Sequence, residues 1–136
     1  MALIKTAPKK QAGLYDFSIS GGAIAVFNLG VHLPVNVWIT GFWATAYTPL
    51  ASLGAATVSF GTITTDIAAP VTVVNNLMVA NAFGAFTAQP LQGVDLNATP
   101  LRILNANDVI MAVAAANLTA GRLAFVIEYS EIVPGV

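Results

Sequence analysis

The sequence predicts an all-β protein, an antiparallel β-sandwich of jelly-roll type, and three observations support this fold class. Apolar segments of strand length recur along the chain, separated by Gly, Pro, Asn and Ser residues. The clearest segments alternate between two kinds of side chain, as a strand with two distinct faces does. Helical periodicity is weak, so we expect at most one short helix. Short strands with little helix are typical of sandwiches and jelly rolls.

The chain is predicted to consist of an N-terminal arm and one domain. Residues 1–13 include Lys5, Lys9 and Lys10 and are too short and polar to pack alone, so we expect an extended basic arm. Residues 14–136 have an ordinary length for a single jelly-roll β-sandwich domain, and no internal repeat or second domain is evident.

Four strands are predicted in the first half of the chain, and turn residues separate them. They cover residues 14–20, 23–30, 36–47 and 55–63. The paired glycines Gly21 and Gly22 end the first strand. Pro34 interrupts the ladder between the second and third strands because it lacks a backbone donor. Residues 48–54 contain Pro, Ser and Gly, so we expect a loop there.

The middle of the chain is less regular. Val73, Leu77 and Ala80 have helical spacing, which predicts a short helix or an irregular excursion over residues 69–83. The Val and Asn content of this segment weakens its helix propensity. Residues 84–100 are rich in turn residues, and we expect a loop with at most one edge strand.

The C-terminal part has the clearest strand pattern. Residues 101–104 form a short predicted strand, and residues 108–116 and 122–133 flank a loop of hairpin length. We therefore expect the last two strands to form a β-hairpin. The last strand has one apolar face, which consists of Leu123, Phe125, Ile127 and Tyr129. On its other face, the small side chains of Ala124 and Val126 suit the close approach of another surface.

The stretch NVWITGFWATAY, residues 36–47, is uncharged on both of its predicted faces. One alternating set contains Trp43 and Tyr47, and the other contains Trp38 and Phe42. Because one small domain has a single core, we expect one Trp in the sandwich interior and the other against a neighbouring subunit. The residues predicted to contact other subunits are Lys5, Lys9, Lys10, Trp38, Phe42, Trp43, Tyr47, Ala124 and Val126.

Charged residues are scarce outside the arm. Charged residues form 8% of the whole chain, the three lysines of the arm included, against about 25% in ordinary soluble domains. The formal net charge is −1, and near-neutral proteins with little charge tend to associate. We therefore expect a homo-oligomer, with a trimer as the specific hypothesis. The alternative is a monomer whose surface is built from Thr, Asn, Ser and Ala.

The residues that carry catalytic chemistry are few and scattered. The chain has one histidine, His32, six carboxylates and no cysteine. Glu128 and Glu131 lie three positions apart on a strand and so face opposite sides, which does not suit paired acid–base work. No nucleophile or phosphate-binding motif is present. We therefore expect no enzyme activity and no cofactor.

Metal, nucleic-acid and membrane binding are also not expected. The oxygen-bearing side chains of Asp95, Asn97, Asn105, Asn107 and Asp108 lack the spacing of a calcium loop, and Asn and Asp commonly form turns. Outside the arm the only basic residues are two arginines, too few for a nucleic-acid patch. No apolar run approaches the roughly 20 residues of a transmembrane helix.

Three segments carry a resemblance to a known class of proteins. They are LYDFSISGGAIAVFNLGVHLPVNVWITGFWATAYT, AATVSFG and LTAGRLAFVIEYSEIV. The sequence resembles small virion proteins of tailed bacteriophages and prophages, in which an aromatic-rich first strand leads to an LG-V-LP segment and a late LTAG hairpin feeds the final strand. The match covers roughly residues 14–61 and 108–133. None of these segments is a catalytic signature.

The resemblance implies a jelly-roll virion structural protein, made in the host cytoplasm and located on the capsid surface. The role we expect is capsid decoration, or cement, in which copies bind the outside of the shell of major capsid protein and bridge its subunits. The basic arm would then clamp an adjacent subunit. One alternative is a tail-fibre or receptor-binding head, and another is a self-assembling shell protein, which the small single domain disfavours.

Overall fold

The computed structural model describes residues 3–5, 7–94, 96 and 101–134. Within these residues the chain forms ten strands, one four-residue α-helix and one short 3₁₀-helix. The elements are β1 (Leu3–Lys5), β2 (Lys9–Asp16), α1 (Phe17–Ser20), β3 (Val26–Leu33), β4 (Val37–Ser52), β5 (Thr57–Thr64), β6 (Thr72–Ala82), the 3₁₀-helix (Phe83–Ala85), β7 (Leu91–Gln92), β8 (Leu101–Ile103), β9 (Asn107–Ala114) and β10 (Leu118–Pro134).

The strands form two antiparallel sheets. In the six-stranded sheet, β10 pairs with β1, β2 and β4, and β4 also pairs with β7 and β8. The four-stranded sheet has the order β3-β9-β5-β6. The prediction of an all-β sandwich is therefore confirmed, and its jelly-roll type stays a prediction. Residues 3–5 and 9–13 of the predicted arm are strand residues paired with β10, and β2 crosses the boundary that was predicted after residue 13. The division into an arm and one domain stays a prediction.

The core lies between the sheets and is centred on aromatic rings. The ring of Phe42 lies 4.9 Å from that of Phe60 and 5.6 Å from that of Phe125, measured between centroids. Phe86 meets Phe60 edge-on. The apolar face predicted for the last strand is confirmed, because its four members are all buried in this core. They are Leu123, Phe125, Ile127 and Tyr129.

A β-bulge in β4 changes which residues face the core. Glu128 of β10 pairs with Gly41, and the next residue, Tyr129, pairs with Ile39, so Thr40 is the extra residue in β4. Before the bulge the odd-numbered residues point inward, and after it the even-numbered residues do. The buried members are Val37, Ile39, Phe42, Ala44 and Ala46.

The bulge places both tryptophans on the outside of the six-stranded sheet. Trp38 and Trp43 are half-buried on that face. The prediction that one Trp lies in the core is therefore wrong, because it assumed an unbroken period of two along the strand. Phe42, predicted as a contact residue, is fully buried in the core, so that prediction is wrong as well.

The segment predicted as a short helix is strand β6. It pairs with β5, with Met78 opposite Phe60 and Val73 opposite Thr62. The strand bulges between these pairs, and Leu77 and Met78 are both buried. The helical spacing of Val73 and Leu77 was misleading, because the β-branched residues of this segment pair with β5 as an edge strand, with interruptions at the bulges.

The predicted hairpin near the C-terminus is also wrong. Strand β9 belongs to the four-stranded sheet and β10 to the six-stranded sheet, so the chain crosses between sheets after Ala114. The backbone N–H of Leu118 donates to the carbonyl of Gly22 instead of closing a hairpin loop. Residues 48–54 are mostly strand as well, because β4 continues to Ser52 beside the start of β10.

The first predicted strand ends earlier than expected. The Asp16 side chain accepts a hydrogen bond of 2.9 Å from the backbone N–H of Ser18 and so caps α1. Gly21 then closes the helix with a φ of 74°, a left-handed conformation that favours glycine. The strands predicted over residues 23–30, 55–63 and 101–104 are confirmed with shifts at their ends.

Candidate assembly surface

The outward face of the six-stranded sheet brings together side chains from β2, β10 and β4. Ala124 of β10 lies between Leu14 of β2 and Thr45 of β4. One step along, Val126 lies between Ala12 and Trp43. Because successive side chains on a strand alternate between faces, these residues form adjacent rows on one surface.

A groove of about 550 Å³ runs over this surface. We call it the outer groove, and its lining residues are Lys10, Trp43, Thr45, Tyr47, Pro90, Ala124 and Val126. A more open hollow continues it over β2, lined by Ala12, Gly13 and Leu14 together with Tyr47 and Ala124 of the groove. The bottom of the groove is formed by the short side chains of Ala124 and Val126. The larger side chains of Trp43 and Tyr47 form its sides.

Trp43 owes its position to a glycine two residues earlier. A Cβ atom at Gly41 would overlap the six-membered ring of Trp43, so the indole lies over the glycine on the outer face. Packing against the strand holds this side of the groove in place. Tyr47 is by contrast 67% exposed, so most of its side chain faces solvent.

Ion pairs lie at the two ends of the outer groove. At one end the Lys10 Nζ atom lies 3.9 Å from Glu128 Oε2, and Thr40 donates a hydrogen bond of 2.9 Å to Glu128 Oε1. At the other end Arg122 Nε lies 3.5 Å from Asp16 Oδ2. Exposed pairs of this kind stabilise a fold only slightly. Their effect is to leave the centre of the groove uncharged.

The pKa of the Asp16 carboxyl is lowered by its surroundings. The hydroxyl and backbone N–H of Ser18 both donate to this carboxylate, and the Arg122 guanidinium adds a smaller Coulombic effect. The carboxylate thus stays ionised to a lower pH than an isolated Asp. The negative charge of Asp16 at this end of the groove is therefore retained when the pH falls moderately.

Five of the predicted contact residues meet at the outer groove. They are Lys10, Trp43, Tyr47, Ala124 and Val126. Trp38 shares the outer face but lies farther along, beside Arg102 of β8 and Ser130 of β10 in the strand register. Lys9 pairs with Glu131, with the Nζ atom 3.2 Å from Oε2. The contact role of all these residues stays a prediction.

The other predicted positions fall outside the groove. The backbone of Lys5 is part of β1, and its side chain lies outside the described residues. Sequence reasoning missed Thr45, Ala12 and Leu14, although alternation along β2 and β4 could have found them. Pro90 carries no sequence signal, because it reaches the groove through an irregular connection.

A histidine–aspartate pair lies on the other sheet. His32 Nδ1 is 2.5 Å from Asp108 Oδ1, and Asn28 Nδ2 donates a hydrogen bond of 2.8 Å to Asp108 Oδ2. The sequence alone does not reveal this pair, because β3 and β9 are far apart in the chain. These contacts leave Asp108 held by two side chains of β3, an arrangement that fixes β9 against its neighbour.

The described residues give no sign of a metal centre or of a membrane-spanning helix. No three His, Cys, Asp or Glu side chains of the described part come together in a way that could hold a metal ion. Asp95 and Asn97, two of the oxygen-bearing residues considered for calcium, lie outside the described residues. Among the described helices, none has the length and apolar character needed to cross a bilayer.

Chains in three phage capsid structures share this fold. In the acidic stable capsid structure of Helicobacter pylori bacteriophage KHP30, one chain is 14% identical with a TM-score of 0.65, and the match covers 98% of each chain. In the capsid of Ralstonia phage GP4, a chain is 15% identical with a TM-score of 0.69, covering 94% of this chain and 86% of that chain.

The third structure is the capsid asymmetric unit of cyanophage Pam1. One of its chains is 15% identical with a TM-score of 0.59, and the match covers 91% of this chain and 84% of that chain. No protein-family model matches the sequence, and no curated protein does. The structural matches confirm the resemblance to phage virion proteins at the level of the fold.

Proposed function

We propose that this chain is a virion structural protein that decorates the outside of a bacteriophage capsid. The observation that carries the proposal is the coverage of the KHP30 match, in which 98% of this chain aligns with 98% of a chain from a capsid structure. The likeness thus extends over a whole capsid chain of similar length. It is not limited to one module of a larger protein.

The outer groove supports a role based on contact rather than on chemistry. A decorating protein stabilises a shell by burying surface, and a specific contact covers about 800 Å² per partner. Short side chains on the groove floor allow close approach, and Trp43 and Tyr47 are of the type enriched in protein interfaces. Lys10 is the one charged residue in the groove lining, so burying the groove removes little charge from water.

We further propose that the outer groove lies between copies of the chain in a homotrimer that binds the major capsid protein. In a closed ring, each copy offers its groove to one neighbour and a different surface to the other. Many such units on one particle would multiply a modest contact into strong reinforcement of the shell. The isolated protein should then have three times the mass of the monomer.

Deleting the gene from the phage or prophage that encodes the chain tests this proposal. Purified wild-type particles should contain the chain. Particles of normal size should form without it, because other subunits build the shell, and they should release their DNA at a lower temperature. Adding the purified chain back should restore the release temperature.

Two outcomes of the deletion would contradict decoration. If no shells form, the chain is itself a shell-building subunit. If the shells are as stable as before and only attachment to host cells is lost, the chain is a receptor-binding module.

A further inference from the structure

One end of the sandwich has no charged residue in its connections. Strands β2, β4, β6 and β9 end there, and β3, β5 and β10 begin there. The connections at this end cover residues 17–25, 53–56, 83–90 and 115–117, and they contain no Lys, Arg, Asp or Glu. We call this the uncharged end. The ion pair between Asp16 and Arg122 flanks it.

The other charges of the described side chains lie in the opposite half of the sandwich. Strand β2 begins there, β10 ends there, and β8 pairs with the first residues of β4. The charged residues in that half are Lys9, Lys10, Asp66, Arg102, Asp108, Glu128 and Glu131. The molecule is therefore polarised along its strands.

The uncharged end presents three large aliphatic side chains to solvent. Leu53 is 97% exposed, Ile19 is 82% exposed and Ile24 is 57% exposed. Ile19 and Ile24 belong to the connection over residues 17–25, and Leu53 belongs to the connection over residues 53–56. A single exposed leucine is ordinary on a protein surface, whereas three such side chains on connections that carry no charge indicate a contact site.

Hydrogen bonds hold these connections together around Asn117. Its side-chain oxygen accepts from the backbone N–H of Ile24 at 3.0 Å, and its backbone carbonyl accepts from Ser52 Oγ at 2.8 Å. Ser52 Oγ in turn accepts from the N–H of Gly54 at 3.1 Å. Because these bonds fix the loops before any partner binds, less conformational entropy is lost on binding.

We propose that the uncharged end inserts into an uncharged, apolar recess on the shell protein of the capsid. The inference rests on the proposed function and names the surface that meets the shell. An apolar recess fits because Ile19, Ile24 and Leu53 offer a partner neither charge nor polar side-chain groups. The outer groove is then left for contacts between decorating copies.

Two other partners, a second copy of the chain and a membrane surface, fit the uncharged end less well. Three side chains form a patch far smaller than the roughly 800 Å² per partner of a stable dimer, so two such ends would not hold two copies together. Lys and Arg side chains attract a protein to an anionic membrane surface, and the connections at this end contain neither. A small contact to a shell is sufficient when many copies and a second interface support it.

The test measures binding of the purified chain to particles that were assembled without it. Leu53→Asp and Ile19→Asp each place a charge at the uncharged end. The matched control is Leu104→Asp, since Leu104 is 59% exposed and lies between β8 and β9 at the opposite end. Because all three side chains are exposed, the variants should fold, which circular dichroism and thermal unfolding verify.

We expect the wild-type chain and Leu104→Asp to bind the particles equally, and Leu53→Asp and Ile19→Asp to bind at least about tenfold more weakly. Equal binding by all variants would overturn the inference and leave decoration standing. If the wild-type chain itself does not bind, the proposed function fails and the inference fails with it.

Two further measurements distinguish the other occupants. If Leu53→Asp lowers the mass of the oligomer in light scattering, the uncharged end covers a second copy. If the wild-type chain floats with phosphatidylcholine vesicles and Leu53→Asp does not, the end binds lipid. Either result would overturn the assignment of this end to the shell protein.

Discussion

Replacing Phe42 and Trp43 by alanine, one at a time, separates the inner face of β4 from its outer face. The two residues are adjacent, yet Phe42 has no exposed surface and packs against Phe60 and Phe125 in the core. Phe42→Ala leaves a cavity among these rings and should cost about 3–5 kcal/mol. Such a loss is a large share of the roughly 5–15 kcal/mol that holds a domain folded.

Trp43→Ala should lower the free energy of unfolding far less than Phe42→Ala does. The indole lies over Gly41 on the outer face, where water can fill the space that it leaves. We expect a loss of about 1 kcal/mol, near the average for point substitutions, because the indole is half-buried and not part of the core. The same change removes one side of the outer groove, so the oligomer should dissociate while each subunit stays folded.

Urea unfolding followed by circular dichroism measures both costs. It should be done at a protein concentration below that at which the oligomer forms, because association adds to apparent stability. With a slope of about 2 kcal/mol per molar urea, the midpoint should fall by about 2 M for Phe42→Ala and about 0.5 M for Trp43→Ala. Equal shifts of the urea midpoint for the two variants would refute the claim that the bulge places Phe42 inside and Trp43 outside. If Trp43→Ala left the mass of the oligomer unchanged, the contact role of the outer groove would be refuted.

Two further predictions concern Tyr15 and a pair of glycines. Burial raises the pKa of Tyr15 to about 12, and its hydroxyl donates to the carbonyl of Gly21 at 2.5 Å. The stability that Tyr15 contributes should therefore be complete below pH 10 and decline by about 2 kcal/mol as the pH rises to 12. The urea midpoints of wild type and Tyr15→Phe should converge over that range, and a pH-independent difference would contradict this. Gly41→Ala should shift the Trp fluorescence and weaken subunit association at little cost, because its Cβ meets a side-chain ring that can move. Gly61→Ala should destabilise by about 3 kcal/mol, because its Cβ meets the fixed backbone carbonyl of Val73; equal costs for the two glycines would show that the distinction is wrong.

The sequence predicted faces correctly where a strand keeps its period unbroken. Leu123 and Phe125 of β10 alternate with Ala124 and Val126, and the structure buries the first pair and exposes part of the second. In β4 the extra residue Thr40 reversed the alternation, and a bulge depends on pairing with β10 that sequence spacing does not encode. The same error assigned Phe42 to the surface.

Long-range pairing explains the other differences. The segment around Leu77 has helical spacing by itself, but β5 offers it a sheet edge, and the gain in backbone hydrogen bonds exceeds the local preference. The last two strands look like a hairpin because a short loop separates them, whereas their partners lie in different sheets. Pro90 reaches the outer groove and Asp108 reaches His32 through tertiary contacts alone.

Imaging the purified particle by electron cryo-microscopy tests the central claim most directly. If this chain is a decoration protein, its two-sheet density should lie on the outside of the capsid facets. The outer grooves should face neighbouring copies, and Leu53 should point toward the shell. Density for this fold only at the tail tip, or as the continuous shell itself, would contradict the account.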